Sequence, residues 1–297
     1  MQGLSPTHRP PVSTVVVDGL ALAQELRERL AKEVAALVAS GRRAPCLAVV
    51  LVGDDAASAS YIKGKRRACE RVGMGSVEHK LPADTREDDL LALITKLNRD
   101  DGVDGILVQL PLPKQIAPNT IASALDAAKD VDGVGPLNAG KLLLGEPGLF
   151  PCTPLGILEI LDRHRIPLEG AHAVVIGRSM IVGKPVSLLL QRRNATVTMC
   201  HSRTRNLAEL CRSADVLVSA VGIPRLVKAD WVRPGAAVID VGVNRVDGKL
   251  IGDVDFEAAN GRAGLLTPVP GGVGLLTVAM LLRNTVEAFE AQSRRRT

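Results

Sequence analysis

Aromatic residues are scarce in this sequence: they make up 2% of its 297 residues, with one tryptophan and one tyrosine. Proteins that bind single-stranded nucleic acids usually stack bases on aromatic rings, so we expect no nucleic-acid partner despite a formal net charge of +5. Hydrophobic residues still account for 46% of the chain, so valine, isoleucine, leucine and alanine must form the core. That composition favours buried parallel strands packed against helices.

Closely spaced cysteine pairs are absent as well. The five cysteines are odd in number, and the two nearest along the chain, Cys200 and Cys211, are eleven residues apart. This pattern argues against a disulfide framework and against a zinc site of the CxxC type. We therefore expect a protein without a bound metal, in the reducing environment of the cytoplasm.

Long uninterrupted apolar segments are also lacking. The first eleven residues have no apolar core of the signal-peptide type, and we expect them to form a loose tail. The uncharged stretch between Arg262 and Arg283 is long, but prolines and glycines break its first half. It is better interpreted as a loop leading into a buried helix, so we expect no membrane partner.

The first half of the chain alternates between helical and extended patterns. Apolar residues at helical spacing predict a helix over 22–37 that Gly41 can end. The elements predicted after it are strand Cys46–Val52, helix 58–72, a short strand around Val77, helix 86–97 and strand Gly105–Val108. Such alternation predicts a mainly parallel sheet.

The second half repeats the alternation. Thr153 is a suitable N-cap for a helix that runs to Leu161. The strands predicted after it are 171–176, 196–199, 215–220 and 236–241, and a last helix, 275–290, is expected to pack on the first half. The fold class is therefore α/β with two domains, each with a mainly parallel sheet, the second being Rossmann-like and doubly wound. The predicted domains are residues 12–149 plus the C-terminal segment 275–297, and residues 150–274.

A glycine-containing turn follows the strand 171–176. Its glycines, Gly177 and Gly183, are six residues apart, which is not the GxGxxG pattern, and a purely structural turn would also explain them. Arg178 follows the first glycine, and Ser202 follows the strand 196–199 with no acidic residue nearby. A carboxylate at that strand end would repel a 2′-phosphate, so this pair favours NADP over NAD. Alternatively, Arg178 is a surface charge and Ser202 a turn residue.

Polar residues of the first half point to a second site. Tyr61 and Lys65 are four residues apart and share one face of the predicted helix. Gln109 follows a strand at its carboxyl end, where open sheets bind ligands. Asp130 and Asp132 lie close to the expected junction of the halves. A solvated lysine and capping aspartates are the ordinary alternatives.

Six segments occur in a fixed order along the chain. They are Val52-Gly53-Asp54 with Ser60-Tyr61 and Lys65-Arg66, Gln109-Leu110-Pro111-Leu112-Pro113, Lys129-Asp130-Val131-Asp132-Gly133, Pro151-Cys152-Thr153-Pro154, Val175-Ile176-Gly177-Arg178-Ser179 with Ile181-Val182-Gly183, and Thr267-Pro268-Val269-Pro270-Gly271-Gly272-Val273-Gly274. Together they resemble the bifunctional methylenetetrahydrofolate dehydrogenase/methenyltetrahydrofolate cyclohydrolase family. The resemblance extends from about Val17 to Phe289.

The resemblance implies an enzyme of one-carbon metabolism and purine biosynthesis. It would oxidise methylenetetrahydrofolate with NADP and hydrolyse the methenyl product to formyltetrahydrofolate. It also implies a folate cleft between the domains and a homodimer. The implied catalytic residues are Lys65, Gln109 and Tyr61; the implied substrate-binding residues are Tyr61, Gln109, Leu110, Asp132, Gly271 and Gly272; the implied NADP-binding residues are Gly177, Arg178, Ser179, Ser202 and Val243.

Two positions depart from the family's pattern. Leu275 stands where the family usually has proline, and Gly133-Val134-Gly135-Pro136 follows Asp132 where many members have a bulkier or more polar residue. Both departures border the implied folate site, and we expect activity to survive the change at Leu275, because Gly271 to Gly274 still allow close backbone approach. Two alternatives remain: an NADP dehydrogenase for a small hydroxy or amino acid, and a related protein that binds folate or NADP without turnover.

Overall fold

The computed structural model describes residues 13–53 and 56–296, apart from the side chains of residues 56–61, 295 and 296. The predicted loose tail, residues 1–11, lies outside the described residues. The strands are β1 (Val15–Val16), β2 (Cys46–Val52), β3 (Gly75–Leu81), β4 (Gly105–Val108), β5 (His172–Ile176), β6 (Thr196–Cys200), β7 (Val216–Ser219), β8 (Ala237–Asp240), β9 (Asn244–Val246), β10 (Lys249–Ile251) and β11 (Leu265–Leu266). The α-helices are α1 (Gly19–Ala39), α2 (Ala56–Arg71), α3 (Glu87–Arg99), α4 (Pro118–Ala124), α5 (Pro136–Leu144), α6 (Cys152–Arg163), α7 (Gly183–Gln191), α8 (Leu207–Arg212), α9 (Phe256–Ala259) and α10 (Val273–Arg296).

A three-stranded parallel sheet organises the first half, in the order β3-β2-β4. Strand β2 is central, and all of its residues after Cys46 are buried, which explains its unbroken apolar sequence. The predicted bounds of β2 and β4 are confirmed to the residue. The carboxyl ends of the three strands lie at one edge of this sheet, as parallel pairing requires.

A six-stranded parallel sheet organises the second half, in the order β1-β11-β8-β7-β5-β6. Strand β5 has β6 on one side and β7 on the other, so the strand order reverses at the carboxyl end of β5. This confirms the α/β class with two mainly parallel sheets; β9 and β10 form a separate antiparallel pair. Strand β1, from the N-terminal segment, also joins this large sheet by pairing with β11.

The prediction that Thr153 caps a helix is wrong. Helix α6 begins at Cys152, and its N-cap position is Pro151, two residues before the predicted cap, with no side-chain cap hydrogen bond. The Thr153 hydroxyl instead lies 3.1 Å from the hydroxyl of Thr277 on α10. A tertiary contact therefore uses the side chain that local sequence rules assign to a cap.

Helix α10 begins two residues before the predicted start and continues six residues past the predicted end. It packs on α6 of the second half and on α1, α2, β2 and β4 of the first half, not on the first half alone. One hydrophobic cluster accordingly contains Leu47 of β2, Val175 of β5 and Leu282 of α10. Within the described residues, no helix is long and apolar enough to cross a membrane.

We expect Leu282→Ala to lower the free energy of unfolding by about 2–5 kcal/mol, because the leucine is 0% exposed and its loss leaves a cavity in the shared core. Urea unfolding followed by circular dichroism measures this change. Leu20→Ala on α1 is the control, since Leu20 is 58% exposed, and should change stability by no more than about 0.5 kcal/mol. Equal effects of the two substitutions would contradict a core that joins the halves.

Candidate active site

A cavity of about 500 Å³ lies between the two sheets. Lys65 and Gln109 line it from the first half, and Asp240 and Val243 line it from the carboxyl end of β8 and the loop that follows. The segment from Pro268 to Val278 forms a further wall. The structure thus brings five of the predicted site residues together: Lys65, Gln109, Val243, Gly271 and Gly272.

A short hydrogen bond joins the two polar side chains of the first half. Lys65 Nζ on α2 donates to Gln109 Oε1, which follows β4, at 2.7 Å. Gln109 Nε2 donates in turn to the carbonyl of Leu110 at 2.7 Å. The second bond fixes the orientation of the amide, so its oxygen faces the lysine.

Burial lowers the pKa of Lys65, and the nearby Asp132 and Cys152 partly oppose that change. Burial also raises the pKa of Asp132, while Lys65 opposes this. The sequence predicted only the neutral Gln109 as the electrostatic partner of the lysine. The structure adds a carboxylate, so the charge of Lys65 depends on burial and on Asp132 together.

The other substrate-site candidates of the first half have different positions. Asp132 is partly buried near Lys65 and Cys152 and is not among the residues that line the cavity. Leu110 is 45% exposed, one residue beyond Gln109, and does not line the cavity either. Tyr61 belongs to α2, but its side chain lies outside the described residues.

The backbone of the glycine-rich wall of the cavity is in close contact with the backbone at the start of α1. Gly19 N donates to Gly271 O at 3.0 Å. A Cβ on Gly19 would lie 2.4 Å from that oxygen, and a Cβ on Gly272 would lie 2.5 Å from Pro268 O. Side chains at these positions would displace the backbone that borders the cavity.

The predicted nucleotide turn lies at the carboxyl end of β5, where the strand order reverses. Gly177 has a φ of +122°, and a Cβ there would lie 2.4 Å from Ala220 O. Ser179 Oγ accepts hydrogen bonds from the amides of Val182 at 3.2 Å and Gly183 at 3.3 Å, at the start of α7. Because Gly177 has no side chain, the backbone of the turn stays accessible next to the N-terminus of α7. This arrangement suits a phosphate group.

Arg178 and Ser202 occupy matching positions on neighbouring strand ends. Ile176 of β5 pairs with Cys200 of β6, so each of the two residues lies two positions past this pair. Both side chains are exposed. No acidic residue occurs between Cys200 and Arg205, and the surface beside Arg178 therefore suits an additional phosphate.

Two buried carboxylates at the large sheet were not predicted. Asp253 is 0% exposed and accepts hydrogen bonds from the amides of Val221 at 2.7 Å and Ile223 at 2.9 Å. It also accepts one from Asn244 Nδ2 at 3.0 Å. Asp253 therefore holds together the loops that follow β7 and β8.

Asp240 is the second of these carboxylates. Its oxygens accept the amides of Gly242, Asp253 and Val254 at 2.8–2.9 Å. Burial raises its pKa to about 6, although these amides oppose the rise. Its position at the carboxyl end of β8 is the sequence signal that could have identified it, since ligand-site residues concentrate at such strand ends. Within the described residues, no group of three or more histidine, cysteine or acidic side chains could hold a metal ion.

Two family models match the chain. They describe the catalytic domain of tetrahydrofolate dehydrogenase/cyclohydrolase, over residues 17–132, and its NAD(P)-binding domain, over residues 151–293. The bifunctional protein FolD of Exiguobacterium sibiricum is 53% identical over 274 residues, which cover 92% of this chain and 99% of that one.

Solved structures agree with these matches. The bifunctional FolD methylenetetrahydrofolate dehydrogenase/cyclohydrolase of Campylobacter jejuni has a TM-score of 0.92 at 45% identity, covering 94% of this chain and 99% of that chain. The Trypanosoma brucei methylenetetrahydrofolate dehydrogenase-cyclohydrolase (FolD), solved with NADP and an inhibitor, has a TM-score of 0.89 at 38% identity, covering 96% and 100%.

We expect Asp253→Asn to lower the free energy of unfolding by about 1–3 kcal/mol, because the new amide directs N–H groups at backbone N–H donors in a buried position. Urea unfolding measures the loss. Asp247→Asn, in the exposed turn between β9 and β10, is the matched control and should be nearly neutral. An Asp253→Asn protein as stable as the control would show that these hydrogen bonds contribute little.

Proposed function

The chain belongs to the tetrahydrofolate dehydrogenase/cyclohydrolase family, and we propose that the cavity between its two sheets is the site of both reactions of that family. The protein is a bifunctional enzyme: it oxidises methylenetetrahydrofolate to methenyltetrahydrofolate with NADP and hydrolyses that product to formyltetrahydrofolate. The observation that carries the assignment of the site is the Lys65–Gln109 hydrogen bond in a cavity that Val243 and the 268–274 segment also line.

The residues at the carboxyl ends of β5 and β6 fit NADP. Gly177 leaves room that a Cβ would fill, and Arg178 with Ser202 presents one cation and one hydroxyl donor without a competing carboxylate. Gly177, Arg178, Ser179 and Ser202 hold the phosphates in this proposal, and Val243 lies where the nicotinamide enters the cavity. When bound, NADP accepts the hydride that leaves the substrate's methylene carbon.

The oxidation step requires no acid or base from the protein, because loss of hydride leaves a cation that the adjacent nitrogens stabilise. Positioning is the protein's main contribution. Gly271 and Gly272 allow the backbone to approach the substrate closely, and Asp240 and Asp253 hold the loops around Val243 in place. Tyr61, Leu110 and Asp132 contribute to binding the substrate's ring system in this proposal.

The hydrolysis step does require proton transfer. Lys65, whose pKa burial lowers, takes a proton from the water that attacks the methenyl carbon, which leaves a neutral hydroxyl adduct. The ammonium form returns that proton to the ring nitrogen as the bond from this nitrogen to the carbon breaks, and the hydroxyl proton is released to solvent as the formyl C=O forms. Gln109 Oε1 accepts a hydrogen bond from Lys65 Nζ. This bond fixes one N–H of the lysine, so the lone pair and the other N–H bonds of Nζ are held in defined directions. Asp132 stabilises the ammonium form that exists between the two transfers.

The same proposal covers the organisation of the molecule. Residues 12–149 with the C-terminal segment 275–297 form the folate-binding domain, and residues 150–274 form the NADP-binding domain. The active form is a homodimer, which exposed leucines of α5 support: Leu137, Leu143 and Leu144 are 62%, 69% and 73% exposed. The cytoplasm is the proposed location, and five free cysteines are consistent with its reducing conditions.

We expect Arg178→Ala to raise the Michaelis constant for NADP far more than that for NAD, because a charged contact to the 2′-phosphate contributes about 1.5–3 kcal/mol. Initial rates of methylenetetrahydrofolate oxidation with each cofactor measure the difference. Arg99→Ala, at the exposed end of α3, is the control for removing one positive charge. Equal changes for the two cofactors would remove Arg178 from the phosphate site.

We expect Lys65→Met to reduce methenyltetrahydrofolate hydrolysis by at least about 100-fold, since general acid-base catalysis supplies that much, while NADPH formation stays within roughly ten-fold. The reason is that water attack needs the lysine and hydride loss does not. Both rates follow from one assay, in which NADPH and the methenyl chromophore appear after methylenetetrahydrofolate and NADP are mixed. The wild-type enzyme must produce both NADPH and the methenyl chromophore. A dehydrogenase for a small hydroxy or amino acid would not produce both signals from this substrate, and neither would a protein that only binds its ligands.

The matched control for this test is Lys63→Met. Lys63 is exposed on the same helix and two residues away, so it points to a different side of α2. It should leave both activities intact. If Lys65→Met lost both activities equally, the lysine would mainly position the substrate; if hydrolysis were unchanged, it would not belong to the site.

A further inference from the structure

A buried amide of α10 joins two backbone segments that lie on either side of α5 in the sequence. Asn284 is 1% exposed, and its Nδ2 donates hydrogen bonds to Val131 O at 2.8 Å and to Phe150 O at 2.9 Å. Both partners are carbonyl oxygens, so only the amide nitrogen can face them, and each of its two N–H bonds has an acceptor. One side chain therefore fixes the distance between the two segments.

The two segments are also in direct contact with each other. Gly133 has a φ of +64°, and a Cβ there would lie 2.4 Å from the carbonyl carbon of Phe150. The backbones therefore approach more closely than any other residue type at position 133 would allow. Asp132 accordingly lies between Val131, which Asn284 holds, and Gly133, which packs against the backbone of Phe150.

The carboxylate of Asp132 acts on the charge of Lys65. Burial lowers the pKa of Lys65, and Asp132 and Cys152 oppose this. Burial raises the pKa of Asp132; Lys65 and a hydrogen bond with the Cys152 thiol oppose the rise, whereas the carboxylate of Asp130 adds to it. Asp240 lines the cavity together with Lys65. The charge of Lys65 therefore depends on where the carboxylate of Asp132 lies.

We propose that Asn284 is a positioning residue for the hydrolysis step: by holding the carbonyls of Val131 and Phe150, it keeps the carboxylate of Asp132 in place beside Lys65. This inference rests on the proposed function of the cavity. Asn284 is not among the residues that line the cavity, so its influence reaches the reaction through Asp132 and not by contact with the substrate.

Loss of the amide would affect more than the stability of α10. Without Asn284 Nδ2, two carbonyl oxygens lose a donor in a buried place, and their segments relax towards other donors. Asp132 is bonded to Val131 and moves with it. Displacements of about 1 Å near reacting groups can lower a rate by about 100-fold, so a small movement of this carboxylate is enough to be measured.

We expect Asn284→Ala to move the acid limb of the pH profile of methenyltetrahydrofolate hydrolysis, the fall in rate towards low pH, to lower pH. Lys65 must be neutral to take the proton, and a more distant Asp132 favours the neutral lysine. The kcat of hydrolysis should fall roughly ten-fold. KM for NADP should stay within about two-fold, since no residue of the proposed NADP site is changed. Asn284→Ser, which keeps one donor, should shift the limb less and serves if the alanine variant does not fold.

Thr285→Val is the matched control. Thr285 is 0% exposed on the same helix, and its hydroxyl donates to Leu281 O at 2.8 Å. Valine therefore removes a buried hydrogen bond of α10 that does not involve the two carbonyls, and the pH profile should stay unchanged. In an Asp132→Asn protein, Asn284→Ala should move the acid limb no further, because residues that act through one another have non-additive effects.

Acetylation of Lys65 by acetic anhydride keeps the test independent of turnover. Its dependence on pH, followed by mass spectrometry of the peptide that contains Lys65, reports the pKa of the lysine directly. A lower pKa in Asn284→Ala than in the wild type supports the inference, even if the wild-type protein hydrolyses no methenyl substrate and the proposed function fails.

Three results would overturn the inference. The first is an acetylation profile of Asn284→Ala that equals that of the wild type. The second is an equal shift in Thr285→Val, which would make the effect a general consequence of weakening α10. The third is a shift that persists in full in the Asp132→Asn protein, because Asn284 would then act on Lys65 by a route that does not include Asp132.

Discussion

Burial of α10 between the two sheets is the packing on which the cavity depends. The helix contributes to a hydrophobic cluster that contains residues of both sheets, so it fixes how their carboxyl ends face each other. Its polar residues add to this. Asn284 Nδ2 donates to Val131 O at 2.8 Å and Phe150 O at 2.9 Å, which ties the segment next to Asp132 to the helix. Because the first turn of α10 also borders the cavity, one helix connects core packing to the position of Lys65, Asp132 and the glycine-rich wall.

The sequence predicts best those elements whose signal is local. Strands β2 and β4 are continuous apolar runs, and their bounds agree with the structure. Strands β1 and β11 have two residues each; β1 pairs with β11 across most of the length of the chain, and β11 also pairs with β8. Thr153 shows the limit of local rules in another way, since its hydroxyl has a partner on α10 that no nearby residue indicates.

The residues of the candidate site also differ in whether a local sequence signal identifies them. Lys65 and Gln109 could be found because one shares a helix face with the chain's only tyrosine and the other follows a predicted strand. Asp240 and Asp253 could not be placed together from sequence, because backbone amides are most of their partners and any residue type can supply an amide. The influence of Asp132 on Lys65 likewise arises only when α2 and the loop before α5 meet.

Leu275 shows how a change in sequence can leave the fold intact and alter the wall of a site. It is the third residue of α10, in the first turn, where backbone amides have no partner within the helix. Its own amide donates to Gly272 O at 3.2 Å, a bond that proline cannot make. Helix formation therefore does not require the family's proline at this position. The leucine side chain is 37% exposed and borders both the cavity at Lys65 and a neighbouring cavity of about 370 Å³ that α1 and α2 also line. The substitution thus places a flexible apolar group on a wall that the two cavities share, while the amide at this position takes part in the first turn of the helix.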